Sequence, residues 1–213
     1  MKRILNVLIA CEESQAECKA FRDLGHNAYS CDLQMPISGG HIEWHIIGDV
    51  RPLLHGKPIF RTMDLKLHKL PRWDLIIAHP PCTYLTKVSS VQLIKNGEID
   101  PERYQKMIEA KQFFMECLGA DAPYVAVENP IPMRRAGLPR PSCYADPSWF
   151  GERYTKKTLY WLKNLPPLMA EINHANPVEF VKRSRGKYRS RTFPAMAKAI
   201  ARQWSEFILS QPR

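Results

Sequence analysis

The sequence predicts an α/β protein built on an open, mostly parallel sheet with helices on both faces. Three observations predict it. Short apolar runs alternate with segments of helical period along the 213 residues. Polar side chains capable of chemistry stand where those runs end. An apolar content of 45% in a chain of this length suits one domain with its own core, so residues 1–213 are read as a single domain.

The elements follow in order. Ile4 to Ala10 reads as the first strand, followed by Cys11-Glu12-Glu13. Ser14 with Glu17 three positions later has the form of a capping box, which starts a helix carrying Ala20, Phe21 and Leu24 inward until Gly25. Ala28 to Cys31 gives a second strand that stops at Asp32. Trp44 to Ile47 gives a third, ending in Gly48-Asp49-Val50. The clearest strand is Trp73 to Ala78, which runs into His79-Pro80-Pro81-Cys82. Asp100 and Pro101 cap and open a helix whose expected apolar face is Tyr104, Met107, Ile108, Phe114, Met115 and Leu118. Tyr124 to Val127 forms a fifth strand before Glu128-Asn129-Pro130, and Thr158 to Leu162 a sixth. A closing helix from about Ala195 to Leu209 places Met196, Ile200, Trp204 and Phe207 on one face.

Charge is distributed unevenly. Residues 1–130 hold 15 basic and 16 acidic side chains, whereas residues 131–213 hold 16 and 5. A neutral front half with a basic back half points to a chemical core joined to a surface for a polyanion. No apolar run reaches the ~18 residues of a membrane span. The six cysteines are scattered without a CxxC pair, which argues against a disulfide framework and a zinc site and fits a reducing cytoplasm; no metal is expected.

Asp32, Asp49, Cys82 and Glu128 each fall at or just beyond the carboxyl end of an expected strand, the edge where open α/β sheets bind ligands. A carboxylate after the second strand suits a ribose diol, because it accepts from both hydroxyls. The loop from Ala10 to Gln15 would aim a helix N-terminus at an anionic group. It has Cys-Glu-Glu in place of a glycine-rich turn, however, and two carboxylates would repel a pyrophosphate. NAD and FAD are thereby disfavoured, and a cationic, phosphate-free cofactor suits the loop better. Two prolines stiffen the strand exit ahead of Cys82, so that thiol is held in place for nucleophilic work. The other five cysteines read as small buried hydrophobes. Glu128 at the mouth of an apolar strand is expected to have a raised pKa and so to donate as well as accept a proton.

Pro80-Pro81-Cys82 followed by Glu128-Asn129 resembles the cytosine-5 DNA methyltransferases, whose Pro-Cys and Glu-Asn-Val motifs occur on consecutive strands in this order. Ser30-Cys31-Asp32, Gly48-Asp49-Val50, Tyr154 to Thr158 and Ser190 to Pro194 resemble further motifs of that family. The resemblance implies a Rossmann-like methyltransferase fold. It also implies methyl transfer from S-adenosylmethionine to cytosine C5 in DNA: Cys82 adds to C6, and Glu128 binds or protonates N3. It implies cofactor contacts from Ala10, Cys11, Glu12, Ser14, Asp32, Leu33, Asp49, Val50, Pro80 and Thr192. Substrate contacts would come from Pro81, Asn129, Lys156, Arg185, Lys187, Arg189 and Arg191.

Only 36 residues separate Thr155 from Arg191, too few for the recognition domain such enzymes carry there. A basic loop region at about 131–193 takes its place, with six cations between Lys182 and Arg191 suited to phosphate contacts. Two other readings stay open on sequence: the same chemistry on a free pyrimidine nucleotide, and a catalytically silent nucleic-acid-binding protein on the same fold. A third, in which His79-Pro80-Pro81 resembles the Asn/Asp-Pro-Pro-aromatic motif of amino-group methyltransferases, is disfavoured because that motif wants an aromatic where Cys82 stands and has no use for Glu128.

Overall fold

A computed structural model describes residues 3–172, 179–180 and 191–212. Its main sheet has seven strands: β1 (Asn6–Ala10), β2 (Asn27–Asp32), β3 (His45–Ile47), β4 (Leu75–Ala78), β5 (Tyr124–Asn129), β6 (Cys143–Ala145) and β7 (Thr158–Lys163). They lie in the order β3-β2-β1-β4-β5-β7-β6. Pairings from β3 through to β5 are parallel, and β7 runs antiparallel to both its neighbours. This is a mostly parallel α/β sheet with helices on both faces.

Helices α1 (Ala16–Asp23) and α3 (Pro194–Ser210) cover one face, and α2 (Pro101–Leu118) covers the other. Strand residues alternate between them. Val7, Ile9, Leu75, Ile77 and Ala126 pack with α1 and α3, while Leu8, Ile76, Val125 and Val127 pack with α2. Because both faces are covered, the central strands are apolar at nearly every position, which is why they read so clearly in sequence. In α3, Met196, Ile200 and Trp204 are buried as expected, and the Trp204 indole N–H donates to the Pro166 carbonyl at 3.1 Å.

Several expectations need correction. In α2 the buried residues are Met107, Phe114 and Cys117, whereas Tyr104 and Met115 are exposed. β6 was not expected from sequence; it is a three-residue edge strand in a proline-rich stretch, too short for a periodic signal. Glu128 and Asn129 lie inside β5 rather than after it, because β7 continues to pair with them: Tyr160 stands opposite Glu128, and Leu159 opposite Asn129.

The Ser14–Glu17 capping box does not form. Gln15 precedes α1 in the left-handed region at φ 56°, and the Glu17 side chain turns away toward the sheet edge. The α1 amides are satisfied instead by Glu12, whose carboxylate accepts from Glu17 N at 2.8 Å and Cys18 N at 3.3 Å. An anionic ligand therefore does not have this helix N-terminus to itself: a carboxylate of the protein already holds it.

From β1 the chain proceeds outward through β2 to β3, then returns to place β4 and β5 on the other side of β1. The loops after β1 and β4 consequently flank the point where the strand order reverses, the crevice in which such sheets bind ligands.

Candidate active site

A cavity of about 510 Å³ opens at that crevice, within the size range of small-molecule sites. Eight of the ten residues expected at a cofactor line it: Cys11, Glu12, Ser14, Asp32, Leu33, Asp49, Val50 and Thr192. Ala10 and Pro80 are buried and stand outside its wall. The wall also includes Phe113 of α2, Arg51 and His79, which sequence reasoning did not select. Phe113 could not have been found by local pattern, since it reaches the crevice from a helix far along the chain. The Arg51 guanidinium lies 4.5 Å from the centre of its ring.

The first loop keeps the shape of a glycine turn without glycine. Cys11 has φ 61°, and the amides of Cys11 and Glu12 both donate to the Cys31 carbonyl, at 2.7 and 3.2 Å. A non-glycine residue in that region is uncommon and costs about 1–2 kcal/mol. Gly48, at φ 146°, gives the corresponding turn after β3, and its amide donates to the Asp32 carbonyl at 2.9 Å. Asp32 and Asp49 each accept from the backbone amide two residues on, from Gln34 at 2.9 Å and Arg51 at 3.0 Å. They are turn residues and cavity residues at once. The hydrogen bond from the Arg51 amide, then that residue's side chain, holds the Asp49 carboxyl below the usual range. A buried relay joins the Gln15 amide to Ser30, Ser30 to His45, and His45 to the Gln34 carbonyl; it pins the segment after β2 beside the cavity.

Deeper in the crevice lies a charged cluster the sequence did not announce. His79 Nε2 is 3.2 Å from Glu17 Oε1, and His79 Nδ1 is 3.4 Å from Glu128 Oε2. The Glu17 side chain is wholly inaccessible, and those of His79 and Glu128 are only 11% and 13% exposed. Thr192 donates its hydroxyl to Glu17 Oε1 at 2.9 Å, tying the entry to α3 into the same group. Burial alone would strip His79 of its proton. The Glu17 charge and the hydrogen bond to Glu128 reverse that and raise the imidazole well above its ordinary value.

Glu128 behaves opposite to expectation. Burial pushes its carboxyl up, but the His79 hydrogen bond and the Lys156 charge overcome burial and hold it below the ordinary value. The cause lies in the register: β4 and β5 are adjacent and parallel, with Ala78 level with Val127. That register sets His79 beside Glu128. Lys156 shares a second, minute cavity with Glu128, Thr158, Tyr160 and Arg191. Its volume is about 10 Å³, room for a water but not for a pyrimidine.

The remaining expected residues separate. Pro81 and Arg191 line the large cavity. Cys82 follows as a half-buried residue whose carbonyl accepts from the amides of Leu85 and Thr86, at 3.0 and 3.1 Å, closing a turn. Asn129 falls on the α2 side of the sheet, the opposite face from Glu128, because strand side chains alternate. It is fully buried, and neither amide atom has a hydrogen-bond partner among the described residues. Arg185, Lys187 and Arg189 lie outside the described residues.

Glu12 gives a test of the electrostatics. Burial first, then the neighbouring Glu17 charge, raises its carboxyl to about 7. A carboxyl raised on folding favours the folded state through its proton. That contribution is complete below the unfolded value of about 4.3 and is lost as the pH climbs through 7. Glu12→Gln imitates the protonated form, so its stability relative to the parent chain is expected to increase from pH 5 to pH 8. Urea midpoints at the two pH values measure this; an unchanged difference would contradict the assignment.

No protein-family model matches the chain, and no curated protein matches it. Among solved structures it is similar to a prophage-encoded E. coli chain described as a DNA modification methyltransferase, with 16% identity and a TM-score of 0.42. The match covers 74% of this chain and 46% of that one. Similarity at that level bears on neither activity nor substrate, which rest on the residues of the chain itself.

Proposed function

We propose that this chain is a methyltransferase that uses S-adenosylmethionine to methylate cytosine C5 in DNA through a covalent Cys82 adduct. The observation that carries the reading is the register of β4 and β5. It sets the exit that leads to Cys82 beside Glu128, at the edge where the cavity lined by Asp32 and Asp49 opens. A nucleophile and an acid–base group beside a cofactor-sized cavity are the parts that attack on an aromatic ring requires.

The cavity's chemistry suits the cofactor. Asp32 would hold the ribose hydroxyls, and Leu33, Val50 and Phe113 offer apolar surface for the adenine. Glu12, Glu13, Asp32 and Asp49 make the lining receptive to a cation and, with the α1 amides already occupied, unsuited to a pyrophosphate. When bound, this cofactor supplies an electrophilic methyl group on a sulfonium. The chain's part is to make the ring carbon nucleophilic: the Cys82 thiolate adds to C6, and Glu128 hydrogen-bonds the N3 side of the ring as electron density gathers there. Seating a base beside Glu128 requires the small cavity to widen, and Lys156 and Arg191 are the side chains that would move.

Trapping tests the reading. DNA containing 5-fluorocytosine, incubated with the protein and S-adenosylmethionine, is expected to give an adduct that survives denaturation. An adduct with a fluorinated nucleotide monophosphate but none with DNA would move the substrate to the free nucleotide. DNA binding without cofactor binding in calorimetry would leave a silent binding protein.

A further inference from the structure

We infer that His79 is a positioning residue that holds Glu128 and keeps, behind it, the proton that passes through its carboxyl to the ring nitrogen of the base. The inference rests on the activity proposed above and adds a residue and a proton path to it.

The geometry supports this in three ways. First, His79 is gripped from both ring nitrogens, by Glu17 on one side and Glu128 on the other, in a pocket nearly closed to water. The ring lies between two carboxylates, hydrogen-bonded to Glu128 through Nδ1 and in charge contact, without a hydrogen bond, with Glu17 at Nε2. Second, the two oxygens of Glu128 differ. Oε2 faces His79, while Oε1 is buried with no hydrogen-bond partner among the described residues. One oxygen is engaged from behind and the other is left for something to arrive. Third, Glu128 is held ionised by its surroundings, so it has no proton of its own to give, whereas the neighbouring imidazole has one.

The charged and titratable groups around His79 come from every packed element. Glu12 comes from the first loop, Glu17 from α1 and Glu128 from β5; Tyr160 comes from β7, Lys156 from the turn before it, and Arg191 from the entry to α3. Of these groups, the carboxylates of Glu17 and Glu128 are what let the ring retain its proton.

The step balances. Cys82 sulfur forms a bond to C6, and the C5–C6 π electrons move into the ring toward N3. N3 takes a proton through the Glu128 carboxyl, and His79 Nδ1 gives up the proton it held. Glu128 ends ionised, as it began, and His79 ends neutral. When the Cys82–C6 bond breaks, the N3 proton returns by the same path and the imidazole is recharged.

The test compares His79→Gln with the parent chain on two DNA oligonucleotides. One carries 5-fluorocytosine with S-adenosylmethionine; the other carries pyrimidin-2-one, whose C6 is more electrophilic without the electron-donating amino group. Adduct formation on 5-fluorocytosine is expected to slow about 100-fold in the variant, the lower end for general acid catalysis. Pyrimidin-2-one should be affected far less. Equal slowing on both would mean a structural role and overturn the inference. Glu17→Gln supplies a second measurement in which the imidazole stays in place. Losing the Glu17 charge lowers the pH at which His79 gives up its proton, so the decline of adduct rate with rising pH should move to lower pH. An unmoved profile would also overturn it. If the parent chain forms no adduct with either oligonucleotide, the activity itself fails, a result recognisable without any variant.

Discussion

Cys82→Ser is expected to keep the fold and the affinity for S-adenosylhomocysteine while forming no covalent adduct and losing more than about 10³-fold in methyl transfer, as when a nucleophile is removed from a covalent mechanism. A serine hydroxyl is almost wholly protonated near neutral pH, so the species that attacks C6 disappears. The backbone role of Cys82, accepting from the amides of Leu85 and Thr86, passes unchanged to serine. Burial disfavours the thiolate at the other cysteines. Burial raises Cys11 and Cys18 far above the ordinary thiol value, takes Cys31 and Cys117 to about 12, and raises Cys143 as well. Cys143→Ser, in edge strand β6, is therefore the control and should retain the adduct. Mass spectrometry of the trapped complex reads both variants; an adduct persisting in Cys82→Ser would refute the assigned nucleophile.

Glu128→Gln is the second large effect. It preserves the shape of the side chain but removes the carboxylate through which a proton can pass, and a loss of 10²–10⁴-fold in turnover is expected, the usual range for an acid–base group. The substitution also leaves the charged His79 facing Glu17 alone, so the pH dependence of the residual rate should change along with its size. Cofactor affinity should hold, since the 510 Å³ cavity is lined without Glu128. Single-turnover rates with and without saturating DNA separate the two quantities. A variant that turned over within a few-fold of the parent would remove Glu128 from the chemistry.

The elements that could be read in the sequence are those whose reason is local. Residues 7–10 of β1, 75–78 of β4 and 124–127 of β5 are continuously apolar because helices cover both faces, and that continuity shows in a few consecutive letters. Asp100 followed by Pro101 marks the start of α2 because cap and first-turn chemistry involve neighbours only; the Asp100 carboxylate does accept from Arg103 N at 3.0 Å. The placing of Asp32, Asp49 and Glu128 at one edge follows from strand direction, which a parallel sheet makes common to all of them.

Tertiary structure decided what depends on residues distant in the chain. Ser14 and Glu17 satisfy a local capping pattern, yet Glu17 goes to His79 and Thr192, because an ion pair in a dry crevice and a hydroxyl donor outcompete the local amide. Glu12, which sequence offered to a cofactor, spends its carboxylate on α1. The protonation of Glu128 departs from the sequence expectation for the same reason. Burial raises a carboxyl, as its apolar strand suggested, but His79 is 49 positions away and Lys156 is 28, and their charges reverse the sign. Sequence alone determined the sheet, the edge and the residue types gathered there, since strands and turns are set by neighbours. Which carboxylate holds which partner, and with what charge, was decided only by folding, because electrostatics acts through space and the register of β4 on β5 brings those groups within reach.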